Sequence, residues 1–185
     1  MNLKQFGALL SVFTVLGVNA IATKALTQEA SIQFGQAISQ GSCTIETGED
    51  GRTLAIAFQD FQSANGKRNR CVLRVNTTIP SGFNVQFRFV YQGITEVPSG
   101  GNASLSRSYT FLGSALGIVE PEPKTTKFTS SNPLFQEQDD LTVASASCGG
   151  QGQLGMNVVA ASSQGSSIFV DKFKINIELI PCSLK

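Results

Sequence analysis

Phe83-Asn-Val-Gln-Phe-Arg-Phe-Val-Tyr91 is the stretch that decides the fold. Phe83, Val85, Phe87 and Phe89 share one parity, while Asn84, Gln86 and Arg88 share the other. A period of two marks a strand with one face in a core and one in water. Upstream, Pro80-Ser-Gly82 reads as a turn, and Val72-Leu-Arg-Val-Asn-Thr-Thr-Ile79 as a second strand. Before it, Asn65-Gly-Lys-Arg-Asn-Arg70 reads as a basic loop, and Leu54, Ile56 and Phe58 alternate within Thr53–Phe58. Downstream, Gly100-Gly101 marks a turn and Ala103–Leu112 a strand carrying Leu105, Tyr109 and Phe111. Residues 121–126 read as a loop, and residues 141–147 as a short strand. Gly149-Gly-Gln-Gly152 reads as a flexible link, and Ile168–Ile180 as the last strand. No stretch of ten residues after the first twenty-two sustains a 3.6 period. The expected fold is therefore all-β, an antiparallel sandwich or jelly roll forming a single domain.

The N-terminus reads as an address. Lys4 precedes the apolar run Phe6–Val18, which is too short to span a bilayer, since spanning takes about 20 residues. Small residues follow, and cleavage is expected after Ala22. Residues 1–22 are thus expected to be a signal peptide, 23–40 a loosely held segment, and 41–185 the sandwich domain. The expected location is extracellular or periplasmic, with no transmembrane segment in the mature chain.

The 185 residues carry 14 Lys plus Arg against 13 Asp plus Glu, a net charge of +1. Loss of Lys4 with the leader takes that to zero. Near-neutrality argues against a general nucleic-acid binder and permits self-association. His and Trp are both absent. Without imidazole, no Ser-His triad, His-ligated metal site or histidine proton shuttle is available. No cofactor is expected.

Cys43, Cys71, Cys148 and Cys182 are an even set in an exported chain, which argues for disulfides. Three pairings are open. Residues 152–162 and 166–180 read as a hairpin around Ser163-Gln-Gly165, which would bring Cys148 near Cys182. The sequential pairing is then the simplest arrangement.

Carboxylates are the remaining acid–base groups: Asp60, Glu96, Asp139, Asp140 and Asp171. Glycoside hydrolysis needs two of them about 5–10 Å apart, and no spacing here brings two together. Glu137, Asp139 and Asp140 offer calcium-type oxygen ligands without EF-hand spacing. Lys67, Arg68 and Arg70 read as a solvated hairpin loop, with contact to an acidic glycan or lipid headgroup as the functional alternative. Asn76-Thr-Thr78 and Asn102-Ala-Ser104 are glycosylation sequons.

Several pieces occur in a recognisable order. They are Ser42-Cys43, Leu54-Ala-Ile-Ala-Phe58 with Phe61, basic residues before Cys71-Val-Leu73, and Ile79-Pro-Ser-Gly-Phe83. Val90-Tyr-Gln-Gly93, Ser108-Tyr-Thr-Phe-Leu-Gly113, Ser147-Cys-Gly149 and Pro181-Cys182 follow. In this order the chain resembles the secreted family called domain of unknown function 4360, over about residues 42–182, with Ser147 where Pro is expected. That resemblance implies a small exported β protein and no known activity. Gly41-Ser-Cys43-Thr-Ile45 also resembles chaperone–usher pilin and coat subunits. That second resemblance implies strand donation, with residues 23–40 as the donor. The expected role is an exported non-catalytic binding or structural module at a surface. A self-assembling pilus or coat subunit is the alternative, and a carboxylate-based glycoside hydrolase comes third.

Overall fold

In the computed structural model, which describes residues 30–113, 117–144 and 148–182, Phe83–Tyr91 belongs to a longer strand. Twelve strands follow one another among the described residues, with no helix. They are β1 (Gln33–Gly41), β2 (Cys43–Thr47), β3 (Leu54–Phe58), β4 (Gln62–Ala64), β5 (Arg68–Ile79) and β6 (Phe83–Glu96). Then come β7 (Ala103–Gly113), β8 (Gly117–Val119), β9 (Lys124–Phe128), β10 (Asn132–Val143), β11 (Gly150–Ser162) and β12 (Ser167–Pro181). A six-stranded sheet runs β1-β5-β11-β7-β8, with β9 also paired to β7. A four-stranded sheet runs β10-β6-β12-β4, and β2 and β3 form a separate ribbon. Every pairing is antiparallel.

The two larger sheets stack through their apolar parities. Val85, Phe87, Phe89 and Tyr91 on β6 are fully buried, against Leu105, Tyr109 and Phe111 on β7 and Val158 on β11. The Phe89 and Tyr109 rings stack across the sheets with centroids 4.1 Å apart. Burying each such side chain stabilises the fold by roughly 1.5–3 kcal/mol. The ribbon closes one flank, where Phe58 lies 4.6 Å from Phe61 and 5.1 Å from Phe173, centroid to centroid.

Cys43 bonds Cys71 and Cys148 bonds Cys182, with Cα separations of 5.5 and 6.0 Å. The first ties β2 to β5 beside Gly41, whose φ of 92° lets the chain turn against the Arg70 carbonyl. Ser42 N donates to that carbonyl at 3.0 Å. The second joins the entry of β11 to the end of β12, and so one sheet to the other.

Several expectations need correcting. Of the segment expected to be loose, residues 33–40 form β1 and pair with β5, because Phe34 has a core place to fill. Arg68 and Arg70 lie in β5 and not in a loop. Residues 124–126 lie in β9, and β10 begins at Asn132. Gly150–Gly152, expected as a link, opens β11. β11 and β12 do not pair with each other: the chain crosses between sheets at residues 163–166. The expected signal peptide, residues 1–22, lies outside the described residues.

Candidate functional site

Among the described residues, one buried cation and one buried carboxylate sit at core parity, Arg107 and Asp139. On β7, Leu105, Arg107, Tyr109 and Phe111 are all buried, and on β10 so are Phe135, Asp139, Leu141 and Val143. Arg107 Nε donates to Asp139 Oδ2 at 2.6 Å, and the Tyr109 hydroxyl donates to the same oxygen at 2.7 Å. The Tyr91 hydroxyl lies 2.9 Å from that of Tyr109 and 3.4 Å from Met156 Sδ. Toward solvent, Arg107 Nη2 donates to Glu137 Oε2 at 3.2 Å and Thr126 Oγ1 donates to the same atom at 2.7 Å. Asp139 Oδ1 accepts no well-aligned hydrogen bond, but Lys124 Nζ stands 3.2 Å from it.

Burial pushes the Tyr91 and Tyr109 hydroxyls far above the ordinary phenol range, which keeps both neutral. Burial also pushes the Asp139 carboxyl up. Hydrogen bonds from Tyr109 and Arg107, the Arg107 charge and the Lys124 ammonium outweigh that and hold it below its ordinary value. A carboxyl held in this way stays an anion and is unsuited to donating a proton. The network joins the sheets: Arg107 and Tyr109 come from one, Asp139, Glu137 and Tyr91 from the other.

The expected site residues scatter around this network. Glu137 and Asp139 do converge, but on Arg107, while Asp140 points to the opposite face and pairs with Arg88 at 2.9 Å. The three calcium-type candidates are therefore not brought together. Strand alternation splits the adjacent acids, and cations already occupy the inward pair. No cluster of three metal-ligating side chains is present among the described residues. Asp60 occupies a turn at φ 46°, Asp171 a bulge in β12, and Glu96 the exposed end of β6. Val170 N donates to Phe61 O at 3.0 Å, so Asp60 and Asp171 stand on adjoining segments.

The outer face of the six-stranded sheet carries accessible polar side chains along β5. Three shallow depressions follow β5 from end to end. The first, of about 410 Å³, is lined by Arg68, Asn69, Arg70, Asn157 and Val159. The second, of about 240 Å³, is lined by Ile38, Ser39, Gln40, Val72 and Arg74. The third, of about 370 Å³, is lined by Asn76, Thr78 and Gln151 together with Gly35 and Gly152. Residues 68–78 span ten steps of strand, about 33 Å. β1 forms one bank and β11 the other. Beside Arg74 the register partner on β11 is Gly155, over which the Thr110 side chain of β7 lies. Ser104, Ser106 and Ser108 on β7 continue the hydroxyl surface beyond β11. Sequence reasoning found Arg68 and Arg70 but missed Arg74, which shares their parity in the same strand.

Fold and site together define a disulfide-bonded antiparallel β-sandwich with a row of shallow depressions along one strand of a sheet face. The chain belongs to the family described as Domain of unknown function (DUF4360), whose profile matches residues 29–178. No match is found among curated proteins. Among solved structures the chain is similar to TmCBM61 in complex with β-1,4-galactotriose. There the identity is 13%, the coverage 79% of this chain and 91% of that one, and the TM-score 0.34. It is also similar to a structure reported on the promiscuous specificity of carbohydrate-binding modules from the β-sandwich superfamily, at 15% identity, 79% and 56% coverage, and TM-score 0.30. A third is the family 11 carbohydrate-binding module from Clostridium thermocellum in complex with a β-1,3-1,4-mixed-linked tetrasaccharide, at 8% identity, 79% and 95% coverage, and TM-score 0.21.

Proposed function

We propose that this chain is an exported, non-catalytic module that holds an extended polysaccharide along the outer face of β5. The observation that carries this reading is the alignment of three depressions end to end along one strand. A closed pocket suits a small molecule, whereas an open trough several residues long suits a linear polymer. The side chains along it are amides, hydroxyls and guanidiniums, which match the hydroxyl-rich surface of sugars. The non-catalytic part is supported by the inward carboxylates, which are committed to Arg107, Thr126 and Lys124. Against assembly by strand donation stands β1, part of the supposed donor, which already completes its own chain's sheet.

Affinity electrophoresis of the disulfide-bonded protein against a panel of neutral and acidic polysaccharides tests the proposal. Retardation is expected for at least one polymer. The double variant N76A/Q151A should weaken it about 3–10-fold for each hydrogen bond lost, with Tm within about 2 °C of wild type. No retardation by any polymer, or release of reducing ends from one of them, would overturn the reading.

A further inference from the structure

We propose, resting on the polysaccharide-binding reading above, that the polymer is acidic and that Arg68, Arg70 and Arg74 read its carboxylate or sulfate groups. The three arginines alternate outward on β5, with Arg70 about 7 Å from Arg68 and about 13 Å from Arg74 along the strand. One small anion cannot bridge that row, whereas a chain carrying repeated anionic groups can.

No carboxylate pairs with any of the three among the described residues. The strands on either side present Ile38 and Gln40 from β1, and Gln153, Asn157 and Val159 from β11, at the outward register positions. None of these is acidic. On the outer face of the four-stranded sheet, by contrast, the one arginine of β6, Arg88, is paired with Asp140 at 2.9 Å. A chain with a net charge of only +1 therefore carries, on β5, three arginines in one row with no carboxylate partner among the described residues.

Arg70 is also held in place. Its Nε donates to Asn157 Oδ1 at 2.7 Å, leaving both terminal nitrogens without a protein acceptor among the described residues. A planar guanidinium fixed by one edge presents the other as a two-pronged donor, the geometry that suits carboxylate and sulfate. The face offers no ring for a nucleobase to stack on. There is no Trp, both tyrosines are buried, and Phe34 and Phe111 on β1 and β7 face the core. Single-stranded nucleic acids need such platforms, so an acidic polysaccharide fits better.

The test uses polygalacturonate, its methyl-esterified form, dextran sulfate, dextran and poly(dT), with the wild-type protein and the variants R68Q/R70Q/R74Q and R88Q. The wild type should bind an acidic polymer about tenfold or more tightly than its uncharged counterpart, and added salt should weaken it. The triple variant should lose that preference, R88Q should keep it, and the triple variant's Tm should stay within about 2 °C of wild type. If charged and uncharged polymers bind equally and the arginine substitutions change nothing, the acidic inference falls while the polysaccharide reading stands. Binding of poly(dT) as tight as that of the acidic polymers also overturns it. Absence of binding to every polysaccharide removes both.

Discussion

Arg107 and Asp139 were legible in principle from parity alone. In Ala103-Ser-Leu-Ser-Arg-Ser-Tyr-Thr-Phe111, polar Ser and Thr take every even position, which leaves Arg107 in line with Leu105, Tyr109 and Phe111. Asp139 likewise shares the parity of Phe135, Leu141 and Val143. A charge at core parity demands a partner, because an unpaired buried ion is costly. What the sequence withholds is that the two partners come from different sheets. Converting Asp139 to Asn removes the main counter-charge of Arg107, whose side chain is only 3% exposed. Breaking one side of a buried pair costs about 3–5 kcal/mol. Glu137, still 3.2 Å from Arg107, should hold D139N toward the lower end of that range. The pH dependence follows from the sign of the shift. The folded carboxyl lies below its ordinary value, so the pair's contribution is present above about pH 4. It is lost as pH falls through the depressed folded value. Urea unfolding from pH 7 down to 2 should show the wild type converging on D139N at the acid end. Parallel curves would mean that Asp139 does not titrate as argued.

Strand boundaries were harder to read than strands. Asn65-Gly-Lys-Arg-Asn-Arg70 looks like loop by composition, yet Asn65 at φ 53° and Gly66 at φ 78° make the turn, and β5 begins at Arg68. The Asn-Gly pair is the signal that places this turn. Gly150–Gly152 looks flexible, yet it is strand paired with β5, and the glycine at 152 is there because a Cβ would run into the Phe111 ring. β11 and β12 were legible as strands but not as members of different sheets. Each shows only one apolar parity, and pairing side by side or stacking face to face satisfies that equally well. Cys148 and Cys182 come together either way, since both arrangements return the chain to the same end. The disulfide at Cys43 and Cys71 has a more local role, anchoring the exit of β1 against β5. Its sequence separation of 28 implies about 3.5 kcal/mol of stabilisation by loop closure. C43S/C71S should lose about that much, with faster amide exchange in β1. C148S/C182S should lose a similar amount while β1 keeps its protection until global unfolding. Equal exchange of β1 in the two variants would contradict the local anchoring.

At the scale of the whole molecule, the open question for a near-neutral sandwich is why its sheet edges do not recruit further strands. Unpaired edges invite pairing with other chains unless something blocks it. Four of the edge strands carry such a block. The register of β1 on β5 breaks between Phe34 and Ala37, and β4 is only three residues long. β10 carries Pro133, which lacks an N–H, beside an irregularity between Asn132 and Phe135. β9 carries Lys124 and Lys127, both exposed. None of these features is needed to fill the core. Blocked edges, together with a β1 already paired within its own chain, make a single chain the expected state in solution. Sedimentation velocity over a hundredfold range of concentration should give one monomeric species. Non-reducing intact mass should be four hydrogens below that of the reduced chain. A concentration-dependent dimer whose formation adds amide protection along β1 or β10 would mean that the irregularity there does not stop pairing. The assembly reading would then regain its place. A dimer that leaves both edges unprotected would instead point to a sheet face, and competition by an acidic polysaccharide would tell whether the outer face of β5 is the one in contact.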